Sequence, residues 1–352
     1  MDIKETHWSP LLLDWFAAHG RDLPWRDASP RDPYKVWVSE IMLQQTKVET
    51  VRPYYDSWME HFPTLRDLAA ASQDDVLRQW QGLGYYSRAR NLHQAVQEVE
   101  AKYGGHVPEN RKDVQSLKGV GDYTAGAILS LAYGKKEAAV DGNVLRIFAR
   151  LYDIEENILS TAVKKEITAL VQEQLPDKAP GSFNEALMDL GAMVCIPKHP
   201  RCEACPLSSL CLAHELGKEG ELPVRIKKQK HPVEAITVLA VSQGTKWLVH
   251  RRPPQGLLAS MWEFPSVQGK GKDGLDAACR LLEGLGLQVS DIEGPVGEVK
   301  SVFSHKTWQM TVYTAAAAGE ILQEKEAWQW LERADYTRLP WAGPHGKITA
   351  MV

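Results

Sequence analysis

Four cysteines lie within seventeen residues of this 352-residue chain. Cys195, Cys202, Cys205 and Cys211 have the spacing C-x6-C-x2-C-x5-C, and thiolates this close in sequence can converge on one metal centre. Structural zinc sites usually carry two short C-x2-4-C pairs, whereas this loop has one. The spacing therefore favours a cubane iron-sulfur cluster, with zinc and unliganded cysteines as the alternatives.

Two carboxylic residues nearer the N-terminus have neighbours that suit acid–base chemistry. Glu40 lies in an apolar run with Trp37, Ile41 and Met42. Burial in such a run would raise the pKa of its carboxyl, as a general acid requires, whereas an exposed helical glutamate would have no such role. Asp141 directly precedes a predicted helix, where an aspartate most often serves as the N-cap.

Two glycine turns could contact nucleic acid. Gly119 and Gly121 precede a new helix and predict a helix-hairpin-helix element, whose free helix amides can bind a phosphate without reading base sequence. An ordinary turn between two helices has the same pattern. The second turn begins at Gly82 and places Tyr85 and Tyr86 beside a loop, where an aromatic ring could insert into a base stack or simply pack within the turn.

The periodicity of the sequence divides the chain into a helical part and an α+β part. Helix patterns and helix-end signals run from residue 9 to residue 215, and the Ser182–Glu185 capping-box spacing predicts a helix start. Residues 221–233 carry prolines and cations and are predicted to form a linker. Strand-like alternation follows. We therefore expect a helical domain over 1–220 and an α+β domain over 234–352.

Composition sets limits on the class of protein. Hydrophobic residues make up 44% and charged residues 24%, as is usual for a folded globular chain. The net charge is −4, so any surface for nucleic acid must be a local cluster of cations. No apolar run approaches the length that a bilayer requires, and no secretion signal is recognisable. We expect no membrane association and a cytoplasmic protein, associated with the nucleoid if it binds DNA.

Taken together, these motifs resemble those of a known enzyme family. The segment from about Asp22 to Cys211 resembles the endonuclease III superfamily of helix-hairpin-helix DNA glycosylases and is most similar to adenine DNA glycosylases of the MutY type. The matching motifs are Leu23–Arg26, Ser39–Thr46, Gly82–Tyr86, Val140–Asn143, Phe183–Leu187 and the cysteine loop.

The resemblance implies a multi-domain fold. It consists of an all-α helix-hairpin-helix glycosylase domain followed by a C-terminal α+β Nudix-like domain. The glycosylase domain would have a six-helix lobe over about 29–134 and an iron-sulfur lobe from about 1–28 and 135–220. The resemblance also implies that the four cysteines bind a [4Fe-4S] cluster.

The resemblance implies roles for individual residues. Glu40 would protonate adenine at ring nitrogen 7 and Asp141 would stabilise the sugar cation, while Tyr123 and Asn143 orient the reacting groups. Residues implied to line the adenine pocket are Arg26 and Glu185, and those implied to contact DNA are Leu43, Gln45, Tyr85, Gly119 and Gly121. Bifunctional relatives carry a lysine at the position of Tyr123, so base removal without efficient strand cleavage is expected.

The C-terminal part of the chain indicates which base lies opposite adenine in the predicted substrate. Phe303, Ser304 and His305 match the loop with which the family recognises 8-oxoguanine, which implies a double-stranded DNA substrate with adenine opposite that base. Only Glu283 remains of the acidic cluster that an active Nudix hydrolase needs for magnesium, so a nucleotide hydrolase is the weaker interpretation. The alternatives for the whole chain are an endonuclease III-like lyase and a non-catalytic DNA-binding protein. A monomer is expected.

Overall fold

The computed structural model describes residues 3, 6–26, 30–226, 231–303, 305–320 and 327–352. The described residues form two compact units, one drawn from 1–71 and 91–228 and the other from 72–90 and 229–352. Within the second unit, Arg90 donates a hydrogen bond to the Ala259 carbonyl oxygen (2.9 Å), and Arg251 pairs with Asp74 (2.6 Å). These contacts tie 72–90 to the α+β part. The domain boundaries expected near residues 220 and 234 stay a prediction.

The chain from residue 9 to residue 215 is helical, as the sequence predicts. The helices are α1 (Ser9–His19), α2 (Pro33–Leu43), α3 (Val48–His61), α4 (Leu65–Ala70), α5 (Gln73–Gln79), α6 (Ser87–Tyr103), α7 (Arg111–Ser116), α8 (Asp122–Leu131), α9 (Gly142–Leu151), α10 (Thr161–Gln174), α11 (Pro180–Met193) and α12 (Leu212–Glu215). Short 3-10 turns lie at Pro24–Arg26, Cys202–Ala204 and Ser208–Leu210. Helix α5 and the first residues of α6 belong to the second unit.

Side-chain caps fix several helix starts. The Asp32 carboxylate accepts a hydrogen bond from the Tyr34 amide and begins α2, and Ser72 accepts one from the Asp75 amide and begins α5. The start predicted at Ser182 is wrong, because α11 already begins at Pro180. Proline suits that first turn, since its fixed φ is helical and its missing N–H has no partner to lose there.

The core of the first unit joins segments that are distant in sequence. Trp8, the residue before α1, is fully buried, with its ring centroid 5.7 Å from those of Phe148 in α9 and Phe183 in α11. Helix α2 packs against α8, and α11 packs against both α8 and α9. These helix pairs bring the first turn of α9 and the middle of α2 to one side of α8 and α11.

The second unit is built on a mixed sheet. Its strands are β1 (Val233–Gln243), β2 (Lys246–Arg251), β3 (Trp262–Glu263), β4 (Ser266–Gln268), β5 (Leu287–Val302), β6 (Thr307–Gly319) and β7 (Trp328–Glu332). The order is β3-β2-β1-β6-β5, with β4 also paired to β1 and β7 to β2. Strands β1 and β6 are parallel, and the other strand pairs are antiparallel.

Both faces of this sheet are covered. Leu239 and Val241 of β1 pack with Leu282 of helix α13 (Gly271–Gly284), whereas Val238 and its neighbours pack with Ile348 of helix α14 (Gly343–Ile348). Because successive strand side chains alternate between faces, β1 contributes to both cores. Within the part of the chain that is described, no helix is both long and apolar enough to cross a membrane.

Candidate active site

A cleft of about 1050 Å³ opens in the first unit and collects most of the residues that the sequence singles out. The predicted site residues that line it are Arg26, Glu40, Leu43, Gln45, Gly119, Gly121, Tyr123, Asp141, Asn143 and Glu185. They come from the turn before α2, from α2 and the turn after it, from the turn before α8 and its first turn, from the N-cap and first turn of α9, and from the second turn of α11. Groups spread over 160 residues of sequence therefore share one cavity.

Glu40 lies in the C-terminal half of α2, and its carboxyl is buried. Only 4% of the residue is exposed, and the Tyr123 hydroxyl donates a hydrogen bond of 2.6 Å to its Oε2. Burial raises the pKa of Glu40 to about 7, helped by the negative charges of Glu185 and Asp141 and opposed by the hydrogen bond from Tyr123. This carboxyl can therefore exist in both protonation states near neutral pH, as a general acid requires.

Tyr123 stays a neutral donor in this setting. Its side chain is buried beside carboxylates, and burial together with the charge of Glu40 raises its pKa well above 10. The hydroxyl also lies 3.8 Å from the Met188 sulfur, a residue that the sequence did not point to. A phenol that cannot ionise at neutral pH fixes the position of Glu40 and offers no amine nucleophile at this point of the cleft.

Asp141 is the N-cap of α9, as its position in the sequence predicts, and its side chain also lines the cleft. Its Oδ1 accepts hydrogen bonds from the Asn143 and Val144 amides, each 2.8 Å, and its Oδ2 accepts one of 3.0 Å from the Asn143 side chain. Burial raises the pKa of Asp141, and these hydrogen bonds act against that rise. The donors hold the carboxylate rigidly at the positive end of α9.

The Glu185 carboxylate is held by two guanidinium groups. Arg26 donates to its Oε1 at 2.8 Å, and Arg31 forms two hydrogen bonds of 2.6 and 2.9 Å to the two oxygens. Arg26 also donates to Asp189, which lies fully buried one helical turn beyond Glu185. Sequence analysis found Arg26 and Glu185 but missed Arg31 and Asp189, because 154 residues separate the Arg31–Glu185 partners.

The four cysteines Cys195, Cys202, Cys205 and Cys211 line one small cavity of the first unit, and none forms a disulfide. Burial raises the pKa of Cys205 to about 12 and that of Cys211 to about 11. Four sulfurs that line one cavity are the ligands that an iron-sulfur cluster requires, and metal binding would favour their thiolate form. The four-sulfur donor set therefore fits an iron-sulfur cluster.

Two buried arginines of α9 connect the cysteine loop with the cleft. Arg150 donates to the Cys195 sulfur at 3.3 Å and to the Ile196 carbonyl oxygen at 2.8 Å. Arg146 donates to the Cys195 carbonyl oxygen at 2.7 Å and to the Asn143 side-chain oxygen at 2.9 Å. Sequence analysis missed both. The feature of the sequence that could have indicated them is a pair of arginines four residues apart in a largely apolar helix.

Four of the predicted contacts belong to the second unit of the chain. Tyr85 belongs to the second unit, where it is 46% exposed and adopts a positive φ of 49° after the Gly84 turn. Phe303 and His305 lie in the turn between β5 and β6 of that unit, and Ser304 lies outside the described residues.

Comparison with known proteins decides the family. A model of the HhH-GPD superfamily of base excision DNA repair proteins matches residues 38–173, and a NUDIX domain model matches residues 237–351. The adenine DNA glycosylase of Homo sapiens is 35% identical over 95% of this chain and 72% of its own length. This chain belongs to the adenine DNA glycosylase family. The corresponding protein of Rattus norvegicus is 37% identical over 88% of this chain and 70% of its own length.

Solved structures share the fold of the helical part. A thermostable thymine-DNA glycosylase is 31% identical, has a TM-score of 0.54 and covers 60% of this chain and 97% of its own. A trapped endonuclease III–DNA covalent intermediate, at 23% identity and a TM-score of 0.52, covers 62% of this chain and 99% of its own and shares the fold of the helical part. The predicted fold class is confirmed, and so is the predicted enzyme class, a DNA glycosylase of base excision repair.

Proposed function

We propose that this glycosylase removes adenine paired with 8-oxoguanine and leaves the DNA strand uncut. The observation that carries the proposal is the pairing of Glu40 with Tyr123. A buried carboxyl with a pKa of about 7 is bonded to a tyrosine hydroxyl at the position where a lyase would need an amine. The relatives in Homo sapiens and Rattus norvegicus are adenine DNA glycosylases, which supports the choice of base.

Chemistry would begin when adenine leaves the helix and enters the cleft. Extrusion costs a few kcal/mol, and a mispair lowers that cost. We propose DNA contacts around the extruded nucleotide from Leu43, Gln45 and Tyr85. The backbone amides at Gly119 and Gly121 would bind a phosphate. Arg26 and Glu185 would line the pocket for the base.

Glu40 would then donate its proton to ring nitrogen 7 of adenine, which turns a poor leaving group into a neutral base. The bond that breaks joins the base to the sugar and leaves positive charge on the sugar. Asp141 is proposed to stabilise that charge, with Asn143 keeping the carboxylate in place through its 3.0 Å hydrogen bond. Water adds to the sugar, and its second proton restores Glu40.

The four cysteines are proposed to hold a [4Fe-4S] cluster, which would fix the loop between Cys195 and Cys211. The first spacer of that loop carries Lys198, His199 and Arg201, cations that could bind a DNA phosphate. Phe303, Ser304 and His305 are proposed to recognise 8-oxoguanine. The proposed substrate is double-stranded DNA, bound by a monomer.

The test is an incubation with end-labelled duplexes that contain adenine opposite 8-oxoguanine. We expect strand breaks only after alkali treatment, because base removal leaves an alkali-sensitive site. Breaks without alkali would indicate a lyase, and the absence of adenine release would refute the proposal. The Glu40→Gln variant is expected to bind the same duplex and release no adenine, which separates recognition from chemistry.

A further inference from the structure

Glu234 lies at the start of β1 and binds the turn that carries Phe303 and His305. The Lys306 ammonium donates to both carboxylate oxygens, at 3.1 Å each, and the Trp308 indole N–H donates to Oε2 at 2.9 Å. One carboxylate thus holds two side chains on the C-terminal side of the turn. Neither Glu234 nor its partners were among the residues that the sequence singled out.

The backbone ties the same segments together. Glu234 is the register partner of Trp308 in the parallel β1–β6 pair, and the Thr307 amide donates to the Pro232 carbonyl oxygen at 2.9 Å. The Phe303 amide donates to the Lys306 carbonyl oxygen at 2.8 Å. The beginning of β1 therefore supports the end of the turn through main-chain and side-chain bonds.

Trp308 transmits this support to Phe303. Its ring lies 5.0 Å from that of Phe303 at an interplanar angle of 75°, an edge-to-face contact, and only 7% of Trp308 is exposed. The Arg252 guanidinium lies 5.5 Å from the centroid of the same indole. A hydrogen bond from the indole N–H to Glu234 sets the rotation of the ring, and the ring edge sets where Phe303 can lie.

We infer that Glu234 is a positioning residue for recognition of the base opposite adenine. The inference rests on the proposed recognition of 8-oxoguanine by Phe303, Ser304 and His305. Glu234 would act through Trp308 and Lys306 without touching the DNA base.

The charge of Glu234 fits this role. Hydrogen bonding to Lys306 lowers the pKa of Glu234, and the nearby charge of His305 acts in the same direction. The ionised carboxylate therefore balances the positive charge of Lys306 in the turn. Its removal would leave Lys306 and the Trp308 N–H without this acceptor, and both groups would turn toward water and release Phe303.

The experiment compares single-turnover excision of adenine opposite 8-oxoguanine with excision opposite guanine, in the full-length protein. Glu234→Leu is expected to reduce the ratio of the two rates by about tenfold, the equivalent of one charge-assisted hydrogen bond. The rate opposite guanine should stay within about twofold of the wild type, because the catalytic residues are unchanged. Glu234→Gln keeps an acceptor for Trp308 and should restore most of the preference.

Glu298→Leu, at an exposed position of β5 in the same sheet, is the matched control for the loss of a carboxylate. An unchanged ratio in Glu234→Leu would overturn the inference, and so would equal losses on both duplexes, which indicate a damaged fold. A wild-type enzyme without preference for 8-oxoguanine would refute the proposed recognition itself. The wild-type ratio therefore distinguishes failure of the proposed function from failure of the role of Glu234.

Discussion

Replacement of Glu40 by glutamine should make the protein more stable while it abolishes excision. The pKa of Glu40 is about 7 in the folded protein, against 4.5 for an unperturbed carboxyl. The separation of about 2.5 pH units, at 1.36 kcal/mol per unit, corresponds to about 3 kcal/mol of folding free energy. Burial of the ionised carboxyl is thus a cost that the wild type bears at neutral pH.

The sign follows from the order in which the two states lose the proton. Below pH 4.5 Glu40 is protonated in both folded and unfolded chains, so it causes no loss of stability. Between pH 4.5 and about 7 the unfolded chain ionises first, and wild-type stability falls. Glutamine does not titrate. The stability of Glu40→Gln relative to the wild type should therefore rise by about 3 kcal/mol across this window and then level off.

The assay is thermal unfolding of both proteins in a series of buffers from pH 4.5 to 8. For a domain of 150–250 residues, each kcal/mol corresponds to roughly 2–4 °C in melting temperature. Glu60→Gln, at an exposed position of α3, is the matched control. A difference between Glu40→Gln and wild type that does not change with pH would refute the argument. Single-turnover excision by Glu40→Gln should fall by at least about 100-fold, the usual contribution of a general acid.

Three further perturbations test other parts of the first unit. Tyr123→Phe removes a hydrogen bond that lowers the pKa of Glu40, so that pKa should rise. The alkaline limb of the pH profile of excision should therefore move to higher pH, and a move to lower pH would contradict this. Asp189→Asn removes the charge of a fully buried carboxylate that pairs with Arg21 and Arg26, whose side chains are 25% and 11% exposed. It should lower the free energy of unfolding by about 2–3 kcal/mol in urea titrations, less than for a fully buried pair because solvent screens the arginines, and a loss under about 1 kcal/mol would argue against it. Gly126→Ala places a methyl group against the Ala138 carbonyl oxygen and should cost about 1–3 kcal/mol in the same assay, whereas wild-type stability would show that the backbone moves freely there.

Local patterns in the sequence predicted much of the fold and most of the cleft. The hairpin at Gly119 and Gly121 and the change of period after residue 233 each depend on neighbours a few residues apart. Asp141 was recognisable as a cap for the same reason. The exact start of α11 was missed, because Pro180 and the Ser182–Glu185 spacing both signal a helix start and only packing selects between them.

The sequence by itself determined which chemical groups are present: a carboxyl in an apolar helix, a capping aspartate, a tyrosine in place of a lysine and four closely spaced cysteines. Tertiary structure alone decided their partners and their protonation. Arg31 reaches Glu185 across 154 residues, and Glu234 reaches Trp308 across 74. Burial among such distant segments raises the pKa of Glu40 to about 7. Desolvation depends on every atom that excludes water, and no local pattern in the sequence specifies those atoms.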